Sequence, residues 1–219
     1  MTRLFRFLLL ILAGLFLAWT AALFSLRYLN PPTTGVQVQR RAEAFFTRAP
    51  YLKRYTFVPL RLISPDLQHA VVSAEDGSFY RHHGIDWEEM EKVAQESADS
   101  GEAPRGASTL TQQLVKNLFF TTHRNPFRKL LEYPLAMLAD RILGKKRVLE
   151  LYLNVVEWGP AVYGAEAAAQ YHYSTQALRL DREQAARLAA CLPAPRRRRP
   201  AMMSRYSTQI LERMQRAGW

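Results

Sequence analysis

"AVVSAEDGSFYRHHGID", Ala70 to Asp86, sets two adjacent carboxylates, Glu75 and Asp76, at the end of an apolar run. A glycine, an aromatic pair, two neighbouring histidines and a second glycine follow. Upstream, Ser64-Pro65 reads as a helix start, with serine as N-cap and proline in the first turn. Leu67, Ala70, Val71 and Ala74 then share one apolar face, which leaves Glu75 at the C-terminal end of that helix. A carboxylate held there is partly desolvated, and its pKa rises toward a value useful for general acid or base chemistry. Asp76 can accept backbone hydrogen bonds and shape the turn. The segment alone is equally open to a plainer reading, two solvated acids in a turn with Phe79 and Trp87 as core. His82 and His83 point in different directions and do not form a helical metal pair.

Downstream, Asp86-Trp87-Glu88-Glu89 is a capping-box pattern that predicts a helix toward Ser97. Residues 99–106, DSGEAPRG, read as a loop, and Thr109-Leu110-Thr111-Gln112 caps a helix running to about Phe119. Asn125-Pro126 opens a longer helix, kinked at Pro134 and closed at Gly144. Helical character resumes over 146–156 until Trp158-Gly159-Pro160 stops it. Asp181-Arg182-Glu183-Gln184 caps a later helix that Pro193 ends. No alternating strand pattern and no internal repeat stand out, so a mainly α domain is expected from about residue 36 onward.

The chain has 219 residues, 48% of them hydrophobic, and a formal charge of +11. It is long enough for one domain plus an extra segment and too apolar for disorder. The charge calls for an anionic partner: nucleic acid, anionic lipid or a phosphate-bearing substrate. Cys191 is the only cysteine, which excludes an intrachain disulfide and thiol-rich zinc sites. Phe7 to Leu26 reads FLLLILAGLFLAWTAALFSL, with no charged residue. As a helix it rises about 30 Å, the thickness of a hydrocarbon core. It is longer than a signal-peptide core and lacks a good cleavage site, so it reads as an uncleaved anchor. Asn30-Pro31-Pro32-Thr33-Thr34-Gly35 reads as a linker after it.

Three further segments carry polar chemistry. In Arg105-Gly-Ala-Ser-Thr-Leu-Thr-Gln-Gln-Leu-Val-Lys-Asn117, Ser108, Thr109, Gln112 and Gln113 offer groups suited to sugar hydroxyls or phosphate oxygens. Lys116 follows Gln112 by one helical turn. In His123-Arg-Asn-Pro-Phe-Arg-Lys-Leu-Leu-Glu132, Glu132 is spaced to pair with Arg128 and Lys129. That is either an ordinary helix salt bridge or a second acid held in a phosphate-binding cluster that Arg124 and Lys116 would complete. Between Leu151 and Tyr171, Tyr152, Asn154, Glu157 and Tyr163 stand among Gly and Ala, as in a buried polar network or a plain core helix pair.

Taken in order, "SAEDGSFYRHHGID", "GASTLTQQLVKNLF", "RKLLE", "LELYLNVVEWGPAVYGAEAAAQYHY" and "AARLAACLPAPRR" resemble the five motifs of the peptidoglycan glycosyltransferase family. That family also supplies the glycosyltransferase domain of class A penicillin-binding proteins. The resemblance covers about Ser64 to Pro200. The short chain resembles the monofunctional, membrane-anchored branch, and no lysine has a serine three residues before it, so the Ser-x-x-Lys transpeptidase signature is absent. The second motif departs from the family's common Gly-Gly with Gly106-Ala107. The fourth has Trp158 and Ala161 where phenylalanine and glycine are common.

The resemblance implies a lysozyme-like, two-lobed helical fold with an apolar subdomain that dips into the membrane. Leu118, Phe119, Phe120 and Phe127 are candidates for that surface. It implies residues 1–6 in the cytoplasm, 7–26 as the anchor, 27–40 as a linker and 41–219 as the catalytic domain, facing the periplasm or exterior of the cytoplasmic membrane. It implies lipid II and the growing lipid-linked chain as substrates, with other cell-wall synthesis or division proteins as candidate partners and no nucleic acid. By the family pattern Glu75 is the general base and Glu132 the second acid, orienting cations or a divalent ion such as Mg or Mn. No cofactor is required. Lys116, Arg124, Arg128 and Lys129 match phosphate contacts. Ser108, Thr109, Gln112 and Gln113 match the donor cleft, with Asp76 and Asn154 in support. The competing readings are a glycan-cleaving enzyme of lysozyme-like fold and a non-enzymatic membrane-anchored scaffold. The Lys-Arg cluster argues against the first, because a diphosphate leaving group needs it and a glycan cutter does not.

Overall fold

The computed structural model describes residues 3–103, 106–123 and 125–219. Nine helices are found among them: α1 (Arg3–Leu26), α2 (Gly35–Thr47), α3 (Pro65–Glu75), α4 (Trp87–Ser100), α5 (Leu110–Phe119), α6 (Pro126–Val155), α7 (Ala165–Tyr173), α8 (Arg182–Ala189) and α9 (Ser204–Arg216). The chain is mainly helical, the lysozyme-like class that the motifs implied. Helix α6 is broken at Gly144, whose φ of 72° and ψ of 160° are not helical, while Pro134 is accommodated inside it.

The sequence showed no strands, yet a small sheet is present: β1 (Arg54–Tyr55), β2 (Glu157–Gly159) and β3 (Val162–Tyr163), in the order β1-β3-β2. β1 runs parallel to β3, and β2 antiparallel to it. Strands of two or three residues are too short to display alternation, and all of β2 and β3 is buried, so no polar face marks them.

The apolar stripe of α5 packs along α6, and α3 packs against α8 and α9. Leu67, Ala70 and Val71 of α3 meet a common core with Leu110 and Leu114 of α5, Leu135 and Leu149 of α6, and Ile210 of α9. Burying such side chains contributes roughly 1.5–3 kcal/mol each.

Helix α1 is exposed along most of its length. Phe5–Leu26 is long and apolar enough to cross a membrane. Only its last turns dock: Leu23 and Leu26 are buried, and Trp19 meets Phe120 edge-on at 5.1 Å and Phe119 at 6.4 Å. The Arg147 guanidinium, from α6, closes the end of α1. Its Nε donates to the Leu26 carbonyl at 2.9 Å, and its Nη2 to the Leu29 carbonyl and Asn30 Oδ1. Orphan carbonyls at a helix C-terminus are thus satisfied by a cation.

Two expectations change here. Residues 35–40, placed in a linker, are the first turns of α2, because Thr34 caps the Gln37 N–H. Gly35 lets that helix lie flush on the end of α5, since a Cβ there would fall 2.6 Å from the Phe120 carbonyl oxygen. Leu118, Phe119 and Phe120, expected to face lipid, are buried or half-buried, the two phenylalanines against Trp19. Phe45 and Phe46 on α2 are exposed, as are Tyr28, Tyr80 and Trp87. The Phe127 side chain and Arg124 lie outside the described residues.

Candidate active site

Helix α3 delivers Glu75 to the wall of a cleft of about 720 Å³, bordered by Asp76, Ser78, Arg81 and the 106–109 segment, with Lys92 of α4 and Arg213 of α9 opposite. The Glu75 carboxylate accepts a hydrogen bond from Gln113 Nε2 at 2.8 Å. Burial pushes its pKa upward, and neighbouring Asp76 adds to the rise. The Gln113 hydrogen bond and the charges of Lys116 and Arg198 oppose it without cancelling it.

Asp76 is buried and ends α3. Its Oδ2 accepts the Leu110 N–H at 2.8 Å, and its carboxylate meets His82 Nε2 at 3.0 Å. One side chain therefore joins the end of α3, the start of α5 and the turn between α3 and α4. Gly84 completes that turn at a φ of 85°, and a Cβ there would fall 2.6 Å from the Ala136 carbonyl oxygen. Its own carbonyl accepts the Thr109 hydroxyl at 2.6 Å.

Beyond Glu75 lies the second acid. Glu132 is 1% exposed and ion-paired with Arg128 at 2.8 Å and Lys129 at 3.2 Å. Lys129 Nζ also donates to Ser108 Oγ at 2.8 Å, and Arg128 to the Thr121 carbonyl. Lys116 stands between the two acids. Burial lowers its pKa, as do Arg128 and Lys129, while Glu132 and Glu75 pull it up. Three cations thus share two carboxylates, and the surplus positive charge is available to an anionic ligand.

A family model described as transglycosylase matches residues 41–216. The chain belongs to the transglycosylase family. A protein called "Biosynthetic peptidoglycan transglycosylase" from Dechloromonas aromatica (strain RCB) is 40% identical over 220 residues, covering 97% of this chain and 95% of that one. One of the same name from Brucella suis biovar 1 (strain 1330) is 47% identical over 154 residues, 70% of this chain and 68% of that one. Another, from Agrobacterium fabrum, is 50% identical over 139 residues, 64% and 61% of the two chains.

The five transglycosylase motifs converge in space, but their residues divide into two groups. Glu75 and Ser108 line the cleft, Gln113 bonds Glu75, and Lys116, Arg128, Lys129 and Glu132 form the cation cluster, tied to the cleft through the Lys129–Ser108 bond. Thr109 and Gln112, expected to bind substrate, instead close a capping box at the start of α5: Thr109 Oγ1 accepts the Gln112 N–H, and Gln112 Oε1 accepts the Thr109 N–H. Asn154 is fully buried, its amide bonded to both backbone groups of Val58 and to the Glu150 carbonyl. No polar atom of it remains for a ligand. Asp76 is likewise engaged internally. All four are engaged in internal hydrogen bonds that shape the site, and Asp76 and Thr109 also border the cleft. Arg124, the fourth cation expected in the cluster, lies outside the described residues.

Glu132 does not suit a divalent ion, because Arg128 and Lys129 already take its oxygens. Among the described residues no group of three His, Cys, Asp or Glu side chains stands together. The buried polar network expected between Leu151 and Tyr171 is present. Tyr152 bonds Gln113, and Glu157 pairs with Arg40 at 3.2 Å, which in turn pairs with Glu43.

Nothing in the local pattern marks Lys92, Arg213 or Arg198 as site residues. Lys92 and Arg213 lie outside the five motifs, and Arg198 belongs to the basic run Arg196 to Arg199, which by sequence is open to a solvated tail or to contact with anionic headgroups. Arg198 is in fact fixed, donating to the Ala190 carbonyl at 2.8 Å and lying over the Tyr206 ring.

Proposed function

We propose that this transglycosylase is an inverting peptidoglycan glycosyltransferase that joins lipid II to a growing lipid-linked glycan. Glu75 takes the proton of the acceptor's 4-hydroxyl as that oxygen attacks the donor's anomeric carbon. The new C–O bond forms on the face opposite the leaving group, the bond to the lipid diphosphate breaks, and the diphosphate departs with the electron pair. The product linkage is β-1,4. Diphosphate is a good leaving group, so the step needs one base and fixed positive charge rather than a second proton donor. Lys116, Arg128 and Lys129 supply that charge, and Glu132 holds them in place.

The observation that carries this reading is the pairing of a partly dry Glu75 with a cation cluster whose surplus charge faces the same region. A glycan-cleaving enzyme would need an acid to protonate a sugar leaving group and would have no use for the cluster. The names of the relatives point the same way. Helix α1 supports a single-pass anchor in the cytoplasmic membrane, with the catalytic domain on its outer side, where lipid-linked substrate lies in the plane of the bilayer.

The test is direct. Purified protein incubated with lipid II should yield polymer that lysozyme digests, and Glu75→Gln should lower the rate by about 10²–10⁴-fold, the usual contribution of a positioned base. Undiminished polymerisation by that variant would refute the assignment of the base.

A further inference from the structure

The Gln113 amide touches three groups, one of them the Ser108 carbonyl, to which its Nε2 donates at 3.4 Å. Its Nε2 donates to Glu75 at 2.8 Å, and its Oε1 lies 3.0 Å from the Tyr152 hydroxyl. Tyr152 comes from α6, is fully buried, and is the only partner seen for that amide oxygen among the described residues. An ionised carboxylate can only accept a hydrogen bond, so the –NH₂ end must face Glu75. The Tyr152 hydroxyl must then donate to the oxygen end. Reversing the amide would set its carbonyl against the carboxylate and leave the hydroxyl facing an –NH₂ group. The pair of bonds is consistent in one orientation only.

We propose that Tyr152 is a positioning residue: by fixing the Gln113 amide, it keeps a donor on Glu75 and holds that carboxylate in its ionised, proton-accepting form. Burial keeps the tyrosine hydroxyl itself protonated far above neutral pH, so it stays a donor throughout the working range. Lys116 of α5, Arg198 after α8, Asp76 beside Glu75 and Tyr152 itself are the charged or titratable groups that act on the Glu75–Gln113 pair. Tyr152→Phe leaves all the others in place and removes one hydrogen bond without changing the ring. The catalytic consequence rests on Glu75 being the base; the effect on Glu75 itself does not.

Two measurements on the full chain in detergent separate these. The first is a carboxyl ¹³C titration of Glu75, identified as the signal missing from Glu75→Gln. Tyr152→Phe should move its midpoint upward by roughly half to one pH unit, the scale of one lost hydrogen bond to the charged form. The second is the pH profile of polymerisation, whose acidic limb should move with it, so that the rate falls about 3–10-fold below the limb and stays within about twofold on the plateau. In a Gln113→Leu background the same substitution should shift neither. An unmoved Glu75 titration, or an equal shift in both backgrounds, overturns the relay. A titration that moves while the rate profile does not supports the relay and refutes Glu75 as the base. A purely structural role would lower the rate equally at every pH and leave the titration unchanged.

Discussion

Asp76 accepts the backbone N–H of Leu110 at 2.8 Å, across 34 positions of sequence. This bond locks the end of the helix that carries Glu75 to the first turn of the helix that carries Gln113 and Lys116. Glu75, its partner Gln113 and Lys116 are therefore held as one unit by this side chain. Asp76→Ala would leave a buried N–H without a partner, and His82 as well. A loss of about 1–3 kcal/mol is expected, read as a lower denaturation midpoint together with reduced activity. Asp76→Asn keeps an acceptor for Leu110 and should be the milder variant.

The raised pKa of Glu75 has opposite consequences for activity and stability. Activity needs the ionised form, so the rate should fall as pH drops through a value above the ordinary glutamate range. Stability follows the reverse course. In the window between the unfolded and folded pKa, the folded state holds a proton that the unfolded chain has lost. Stability therefore decreases as pH rises through that window, and ionised Glu75 is destabilising above it. Glu75→Gln should accordingly raise the thermal midpoint at pH 7–8 while removing activity. Thermal scans of both proteins across pH would check this, and an equal or lower midpoint for the variant would contradict it.

Lys116 has its pKa lowered by burial, so its charge is lost at a lower pH than that of a free lysine. The alkaline limb of the rate profile should report this loss. An arginine stays charged throughout the working range, so Lys116→Arg should flatten that limb if the longer side chain still reaches the ligand, whereas Lys116→Met should lower the rate at every pH. An alkaline limb unchanged in Lys116→Arg would assign it to another group.

Glu132 balances Arg128 and Lys129, which the buried position of its carboxylate makes important. Glu132→Gln should loosen the cations rather than remove them. The expected result is weaker binding of the lipid diphosphate, seen as a raised KM with steeper dependence on salt, and a smaller change in kcat.

Arg147 is the fastener between anchor and domain. With Arg147→Ala, the carbonyls of Leu26 and Leu29 lose their donor, and the segment 27–34 should become accessible to protease in detergent while the catalytic domain stays folded. A cleavage pattern identical to that of the parent protein would show that the Trp19–Phe120 contact suffices.

Much of the helical frame could be read from local chemistry. Asp86, Thr109 and Asp181 mark helix starts because capping depends on residues three or four apart. Pro65 marks the start of α3, but the Ser64 hydroxyl bonds the Leu180 carbonyl instead of capping that helix. The apolar faces of α3 and α5 follow from spacing alone. The long apolar helix α1 was legible too, because an uncharged run of that length shows in the sequence directly. The sheet was not, because its strands are two or three residues long and β1 owes its existence to pairing with β3, more than a hundred positions away. The packing of Phe119 and Phe120 against Trp19 was not legible either, because no local pattern reveals that partner.

At the site, the sequence by itself determined which kinds of groups are present and in what order: Glu75, the Gln113–Lys116 helix face, and Glu132 with its two cations. Only the tertiary structure decided their roles. Thr109, Gln112, Asp76 and Asn154 are as polar as Ser108 and Gln113, yet they are consumed by internal hydrogen bonds. Whether a polar side chain is free to meet a ligand depends on which backbone groups fold against it, and that is a property of the assembled core and not of neighbours in the chain.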